Sequence, residues 1–319
     1  MGLNFSFSWK ALKPVSVPIT LSALKTSGKV AIARALALLE QAPDSPEVID
    51  LLSQAYEAPR AHVVGMTGPP GVGKSTLMNA LISGWRSRGR TVACIAVDPS
   101  SRRSGGALLG DRTRLSTDPE DQGVFVRSMA ARDRLGGLAG LTVSAMVLMR
   151  ALYDVVLIET VGVGQSETDV VGVADTVIFC VQPGSGDSLQ FMKAGIAEIP
   201  HVVVVTKADM GAAASRARAD VLGALSLAED EDGWSIPVLM VSSQQAQGMD
   251  ELIATLDDHA AYLRIGHRLA QARRIQAGQW LVEAVRERFG REGVRRAGDL
   301  TLAAGESPFR RLADVAGRL

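Results

Sequence analysis

With 34 basic and 34 acidic residues among 319, the chain carries no net field that would draw it to nucleic acid. Its 47 % hydrophobic content suffices for one large core with extensions or for two smaller ones, and no apolar run reaches the length of a membrane span. Only two cysteines occur, Cys94 and Cys180, each inside an apolar run. That excludes a disulfide framework or a cysteine-rich metal centre, and both thiols read as small core residues of a cytoplasmic, bacterial-looking protein.

In chain order, no acidic residue precedes Glu40. Met1-Gly-Leu-Asn-Phe-Ser6 fits a myristoylation pattern that a chain rich in Ala, Arg and Gly meets by chance. No apolar stretch with a small-residue cleavage site marks a secretory signal. Residues 20–57 predict two helices, with helical spacing over 31–40, a break at Ala42-Pro-Asp-Ser-Pro46, and resumption over 47–52. From residue 61, strand segments at 61–66, 91–97, 123–128, 153–159, 175–181, 201–206 and 236–241 alternate with helical ones. Several strands are apolar throughout, as expected where both faces are covered. The fold class is therefore α/β, with a mostly parallel central sheet and helices on both faces.

Past residue 259 the strands stop. Residues 271–290 predict a long amphipathic helix with Ile275, Trp280, Leu281, Ala284, Val285 and Phe289 on its apolar stripe, and 310–319 a short final helix. This tail is too poor in apolar residues for a core of its own, so it is expected to pack on the sheet or on a second copy. The organisation predicted is a helical extension over 1–60, a nucleotide domain over 61–262 and a helical arm over 263–319.

The chemistry starts at Gly68-Pro69-Pro70-Gly71-Val72-Gly73-Lys74-Ser75, followed by Thr76. The spacing is that of a P-loop, between a predicted strand and a predicted helix. Glycines let main-chain amides wrap phosphates, and the helix N-terminus adds its positive end. Lys74 would meet the β- and γ-phosphates, and Ser75 a Mg²⁺ ion. Asp98, in Asp98-Pro-Ser-Ser101, ends a strand where open α/β sheets bind ligands; Asp111 follows in Leu109-Gly-Asp-Arg112. Both suit a hard cation, with a turn or helix-cap aspartate as the other reading of Asp98. Glu159-Thr-Val-Gly162 is a D-x-x-G arrangement with Glu in first place. Its acid would reach Mg²⁺ and the Gly162 amide the γ-phosphate. Val163 stands where Ras-like enzymes carry a water-positioning Gln, which predicts slow intrinsic hydrolysis. Gln165, Arg102, Arg103 or a partner residue would complete the site. Thr206-Lys207-Ala208-Asp209 matches the [NT]-K-x-D pattern that reads guanine, Asp209 accepting from the ring N–H and 2-amino group that adenine lacks. Ser242 and Ser243 fall where a loop would close on the base.

Together these segments resemble the MeaB/ArgK/MMAA family of P-loop GTPases, in the SIMIBI class. The distinctive stretches are Val97-Asp-Pro-Ser-Ser101, Ser104-Gly-Gly-Ala-Leu-Leu-Gly-Asp111, Arg127-Ser-Met-Ala130 with Leu135-Gly-Gly-Leu138, Glu159-Thr-Val-Gly-Val-Gly-Gln-Ser-Glu167, and Pro183-Gly-Ser-Gly-Asp-Ser-Leu-Gln190. The resemblance implies a homodimeric GTPase chaperone, dimerised by its C-terminal arm. Such a protein gates cobalamin loading and protects or rescues an adenosylcobalamin-dependent acyl-CoA mutase, with a cobalamin adenosyltransferase as a further partner. Cobalamin would concern this chain only through the partner. The same resemblance maps Ser75, Asp98, Asp111 and Glu159 to Mg²⁺ and switch positions. It maps Gly186, Asp187, Gln190 and Lys193 to a second switch that signals to the mutase. Two departures stand out: Ser188 where the family often has Glu, and Thr206 where Asn is more usual. They leave the partner open among methylmalonyl-, isobutyryl- and 2-hydroxyisobutyryl-type mutases. Competing readings are a transport-associated kinase, a metal-insertion GTPase, for which His62, His201, His259 and His267 are too scattered, and a targeting GTPase of the signal-recognition type, whose Met-rich RNA-binding domain has no counterpart here.

Overall fold

The computed structural model describes residues 19–99, 115, 117–131, 140–159, 170–184, 200–226 and 233–319. Its N-terminal part holds three helices, α1 (Leu21–Thr26), α2 (Lys29–Gln41) and α3 (Pro46–Glu57), one more than the periodicity predicts. Local capping accounts for the difference. Thr20 Oγ1 accepts from the Ala23 amide at 3.3 Å and starts α1. Ser45 Oγ accepts from the Val48 amide at 3.3 Å and starts α3, with Pro46 in its first turn. Pro46, grouped with the helix break in the sequence, opens a helix because the N–H it lacks is one that a helix start leaves unused.

Seven strands follow among the described residues: β1 (His62–Thr67), β2 (Val92–Pro99), β3 (Val124–Ala131), β4 (Val155–Glu159), β5 (Thr176–Val181), β6 (Val202–Val205) and β7 (Val238–Met240). They form one wholly parallel sheet in the order β3-β2-β4-β1-β5-β6-β7. Each overlaps a segment that the sequence predicts as strand, with β2 and β3 running on past the expected ends at 97 and 128 to Pro99 and Ala131. Between and after them run α4 (Lys74–Ser87), α5 (Gly140–Leu152), α6 (Ala212–Leu225) and α7 (Met249–Arg264).

Successive strand residues point to opposite faces. In β1, Val63 packs in a cluster with Leu36, Leu51 and Leu148 of α2, α3 and α5. Its neighbour Val64 belongs to the cluster of Leu77, Leu81 and Trp85 from α4 and Leu252 and Leu256 from α7. Each such fully buried side chain contributes about 1.5–3 kcal/mol, so both faces select apolar residues and the strands lose the alternation of a half-exposed sheet. Beyond β5, α6 covers the sheet through Ala214 and Val221.

The chain ends in α8 (Arg268–Ala297), which bends at Gly290 (φ +68°), and α9 (Pro308–Ala316). Ala277, Leu281 and Val285 of α8 cluster with Leu312 and Val315 of α9 and with Leu300 and Leu302. Phe309 reaches the main core, and Ser53 and Ser307 share a buried hydroxyl hydrogen bond of 2.8 Å. The tail therefore packs against α3 and the sheet, one of the two arrangements the sequence allows. Ile275 departs from expectation. It is 52 % exposed, because it lies about 200° around the helix from Ala277, whose face the core selects.

Candidate active site

A wholly parallel sheet brings the C-terminal ends of its strands to one edge, where α/β folds bind ligands. The register lines up the candidate residues there. Met66 lies opposite Glu159 on one side and Ile178 on the other. Val181 pairs with Val205, and Val205 with Met240. The residues that leave these strands, Gly68, Gln182, Thr206 and Ser242, therefore stand along a single row.

The loop after β1 has the conformation that its glycines permit. Gly68, Gly71 and Gly73 have φ of +135°, +76° and +103°. Gly68 is constrained twice, since a Cβ there would lie 2.5 Å from the Cys180 carbonyl oxygen. Pro70 and Gly71 are exposed at the loop's tip and Val72 is fully buried beneath it, while Thr76 is exposed on the first turn of α4. Lys74 opens α4 and is only 6 % exposed. Its Nζ donates to the Gly68 carbonyl at 2.6 Å and to the Pro69 carbonyl at 3.1 Å, so the ammonium is held against the loop that it would serve. Burial pushes the Cys180 thiol up to about 12, against the pull of Lys74's charge, which makes it a neutral wall residue and not a nucleophile.

Ser75 Oγ donates to Glu159 Oε1 at 2.9 Å, and Glu159, at the end of β4, is 9 % exposed. A hydroxyl and a carboxylate meet where the P-loop ends, a hard-oxygen pair suited to a divalent cation. The β2 backbone sets Asp98 opposite Ala130. The Asp98 side chain lies outside the described residues. So do Asp111, Gly162, Gln165, Gly186, Asp187, Gln190 and Lys193, together with Arg102, Arg103 and Val163.

The third cluster closes the row. Thr206 is buried, and its Oγ1 donates to the Val72 carbonyl at 2.7 Å with the Val181 carbonyl a second acceptor at 3.1 Å. The substitution for Asn thus keeps a side-chain tie between this strand end, the P-loop and β5. Lys207 adopts the left-handed conformation (φ 55°, ψ 44°), uncommon for a residue with a side chain. The turn is fixed on both sides, by Thr206 N on the Val181 carbonyl at 2.8 Å and Ala208 N on the Val241 carbonyl at 3.1 Å. Lys207 Nζ donates to Gln182 Oε1 at 2.6 Å and approaches the Gly71 carbonyl at 3.5 Å. Asp209 is exposed beside it. After β7, Ser242 exchanges main-chain hydrogen bonds with Gln247 at 3.0 and 3.1 Å, and its buried Oγ has no partner among the described residues. Ser243 is half-buried next to it. Sequence reasoning missed Gln182, which belongs to no motif; its place directly after a central strand was the one signal available.

A family model described as methylmalonyl-CoA mutase-associated GTPase MeaB matches residues 32–296. The chain is 42 % identical over 261 residues to a GTPase of Pyrococcus horikoshii, covering 79 % of this chain and 80 % of the relative. It is 36 % identical over 228 residues to the mitochondrial methylmalonic aciduria type A homolog of Mus musculus, covering 70 % of this chain and 55 % of that protein. A solved structure described as LAO/AO transport system kinase superposes with a TM-score of 0.66 at 27 % identity, over 93 % of this chain and 95 % of that one.

Proposed function

The chain belongs to the MeaB family and is a GTPase, and on that premise we propose that it acts as a nucleotide-timed chaperone of an adenosylcobalamin-dependent acyl-CoA mutase. In this reading it gates cobalamin loading and protects or reactivates the mutase, as a cytoplasmic homodimer joined through its C-terminal arm. A cobalamin adenosyltransferase is a second partner, and cobalamin concerns this chain only through its partners. No described helix is long and apolar enough to cross a membrane. The organisation proposed is a helical extension over 1–60, a GTP-binding domain over 61–262 and the arm over 263–319.

The observation that carries the nucleotide chemistry is the convergence of three pairs on one sheet edge: Lys74 on the Gly68 carbonyl, Ser75 on Glu159, and Thr206 on the Val72 carbonyl. Lys74 trades its loop carbonyls for phosphate oxygens and neutralises charge that develops there. Residues 68–76 cradle the phosphates through the main-chain N–H groups of all but Pro69 and Pro70, which have none to donate. Ser75 and Glu159, with Asp98 and Asp111, supply the oxygen ligands that Mg²⁺ wants; the direct Ser75–Glu159 contact at 2.9 Å fits that role. The ion, when bound, offsets negative charge on the triphosphate. The Gly162 amide meets the γ-phosphate, and Gln165 orients the water that Val163 cannot.

Asp209 accepts from guanine, Lys207 lies along the base face, and Ser242 and Ser243 close the pocket. The buried Ser242 hydroxyl, without a partner among the described residues, supports that closure. A base that left these polar groups unpaired would be rejected by as much as roughly 10⁴-fold. Gly186, Asp187, Gln190 and Lys193 form the second switch, which reports the nucleotide state to the mutase.

The test is the affinity of the purified chain for each candidate mutase in GDP and in a non-hydrolysable GTP analogue. The reading expects one mutase to bind with an affinity that differs several-fold between the two states, a coupling of about 1–3 kcal/mol. Equal affinity in both states for every mutase would remove the timing role. The likeness to a transport system kinase favours one second reading, phosphoryl transfer to a protein or small-molecule acceptor. Labelled GTP separates the two, since a chaperone releases the label as inorganic phosphate and a kinase retains it on the acceptor.

A further inference from the structure

In the turn after β6, the Lys207 backbone is fixed while its side chain is exposed. A lysine stem has four rotatable carbons and much rotamer freedom to lose when a ligand lies along it. Among the described residues no carboxylate pairs with its ammonium. Gln182 Oε1 accepts from Nζ at 2.6 Å, and the Gly71 carbonyl, at 3.5 Å, is at most a weak second acceptor. An ammonium only donates, so the amide must turn its oxygen toward Lys207.

Gln182 is well placed to hold that head, because the backbone from which it springs is tied on two sides. Toward β1, Gly68 packs so closely on β5 that a Cβ there would lie 2.5 Å from the Cys180 carbonyl oxygen. Toward β6, the Val181 carbonyl accepts from the Thr206 amide at 2.8 Å and from its hydroxyl at 3.1 Å. Gln182 itself is half-buried, and the next residue, Pro183, is buried. A side chain rooted in the packed sheet therefore anchors the end of one that reaches over the ligand edge. The neutral amide does so without cancelling the positive charge.

We propose that Gln182 is a positioning residue for guanine binding: it holds Lys207 in place in the free protein, so that the lysine stem is ordered before the nucleotide arrives. The proposal rests on the reading that Lys207 lies along the base face. A stem ordered in advance loses less freedom on binding, and the difference appears as affinity. Because Gln182 acts through Lys207 and the base, its contribution is the same for GTP and for GDP, whereas a contact to the γ-phosphate would favour GTP alone.

Titration of GDP and of a non-hydrolysable GTP analogue measures this in the wild-type chain, Gln182→Leu, Lys207→Met and the double variant. Gln182→Leu is expected to weaken both nucleotides by the same factor, about fivefold, at unchanged Tm. In the Lys207→Met background the same change has no further effect. Gln182→Glu, which keeps an acceptor oxygen at the same reach, recovers most of the affinity. Gln182→Ala, with folding checked by circular dichroism, serves if the Leu variant does not fold. Wild-type affinity in a folded Gln182→Leu or Gln182→Ala variant, a loss confined to the GTP analogue, or additive losses in the double variant overturns the proposal and leaves the base reading standing if Lys207→Met still weakens both nucleotides. Unchanged affinity in Lys207→Met overturns the base reading and the proposal with it.

Discussion

Where β1, β4, β5 and β6 end, Lys74 and Thr206 donate to main-chain carbonyls, Ser75 meets Glu159, and Asp209 stands exposed. Where the same strands begin, the polar groups are committed to the fold. Asp154 accepts from the Thr91 amide at 2.8 Å, the Thr91 hydroxyl at 2.7 Å and Arg60 at 2.5 Å. Asp175 holds Val63 and Arg273. Burial raises both carboxyls, but the amides, hydroxyl and guanidinium groups around them outweigh it and hold them below the ordinary carboxylate range. His62 Nε2 and His259 Nδ1 share the Thr176 hydroxyl at 2.6 and 2.7 Å, and the His201 ring lies 4.6 Å from that of His259. One sheet therefore has a candidate ligand edge, whose donors can exchange partners, and a stability edge, where Asp154 and Asp175 each hold several donors. Changes at the first should alter turnover with little effect on melting, and changes at the second should do the reverse.

The largest effect separates the two edges most sharply. Lys74→Ala should abolish GTP binding or lower hydrolysis by about 10³-fold, at nearly unchanged Tm. Full activity in that variant would sink the P-loop assignment. Next comes base choice. Asp209→Asn should weaken GTP by about 10²-fold and gain affinity for xanthosine triphosphate, because an amide offers a donor where the carboxylate accepted. Titration of both nucleotides checks it, and unchanged GTP affinity with no gain for the xanthine nucleotide would remove Asp209 from base reading.

At the opposite edge, Arg273→Met leaves Asp175 buried and unpaired. The expected cost is about 3–5 kcal/mol in denaturant unfolding, with the KM for GTP retained. A stable variant would show that the Val63 amide alone satisfies Asp175.

The smallest effect is graded and comes from the histidines. Burial pushes His62 down to about 4 and His259 to about 3, below the 6.5 they have when unfolded. Their neutral forms thus stabilise the fold above pH 6.5, and that stability drains away as pH falls toward 4 and then 3. The slope is at most about 1.4 kcal/mol per pH unit for each proton taken up on unfolding. His259→Gln should flatten the dependence of Tm on pH between 6.5 and 4.

The ligand edge was far more legible in the sequence than the stability edge. Glycines at 68, 71 and 73, a lysine and a serine carry their spacing wherever the fold puts them, and continuous apolar runs marked several of the seven strands because burial on both faces leaves no alternation. The stability edge is tertiary. His62, His201 and His259 are far apart in the chain and read as scattered, yet parallel pairing of β1 with β5 brings His62 and Thr176 together and α7 adds His259. The short helix α1 depends on one cap at Thr20, too weak a signal for periodicity, and Ile275 was assigned to a buried face by spacing that the packing of Ala277 and Leu281 shifted. Gln182 belongs to no motif and gains its place from Lys207, on the neighbouring strand's end.

The most direct measurement is GTP hydrolysis by the purified chain, alone and with each candidate cobalamin-dependent mutase of the same cell, with ATP run in parallel. The account predicts a slow basal rate, selective for GTP, that one mutase raises many-fold. A rate that no mutase moves, or equal turnover of ATP, would contradict it.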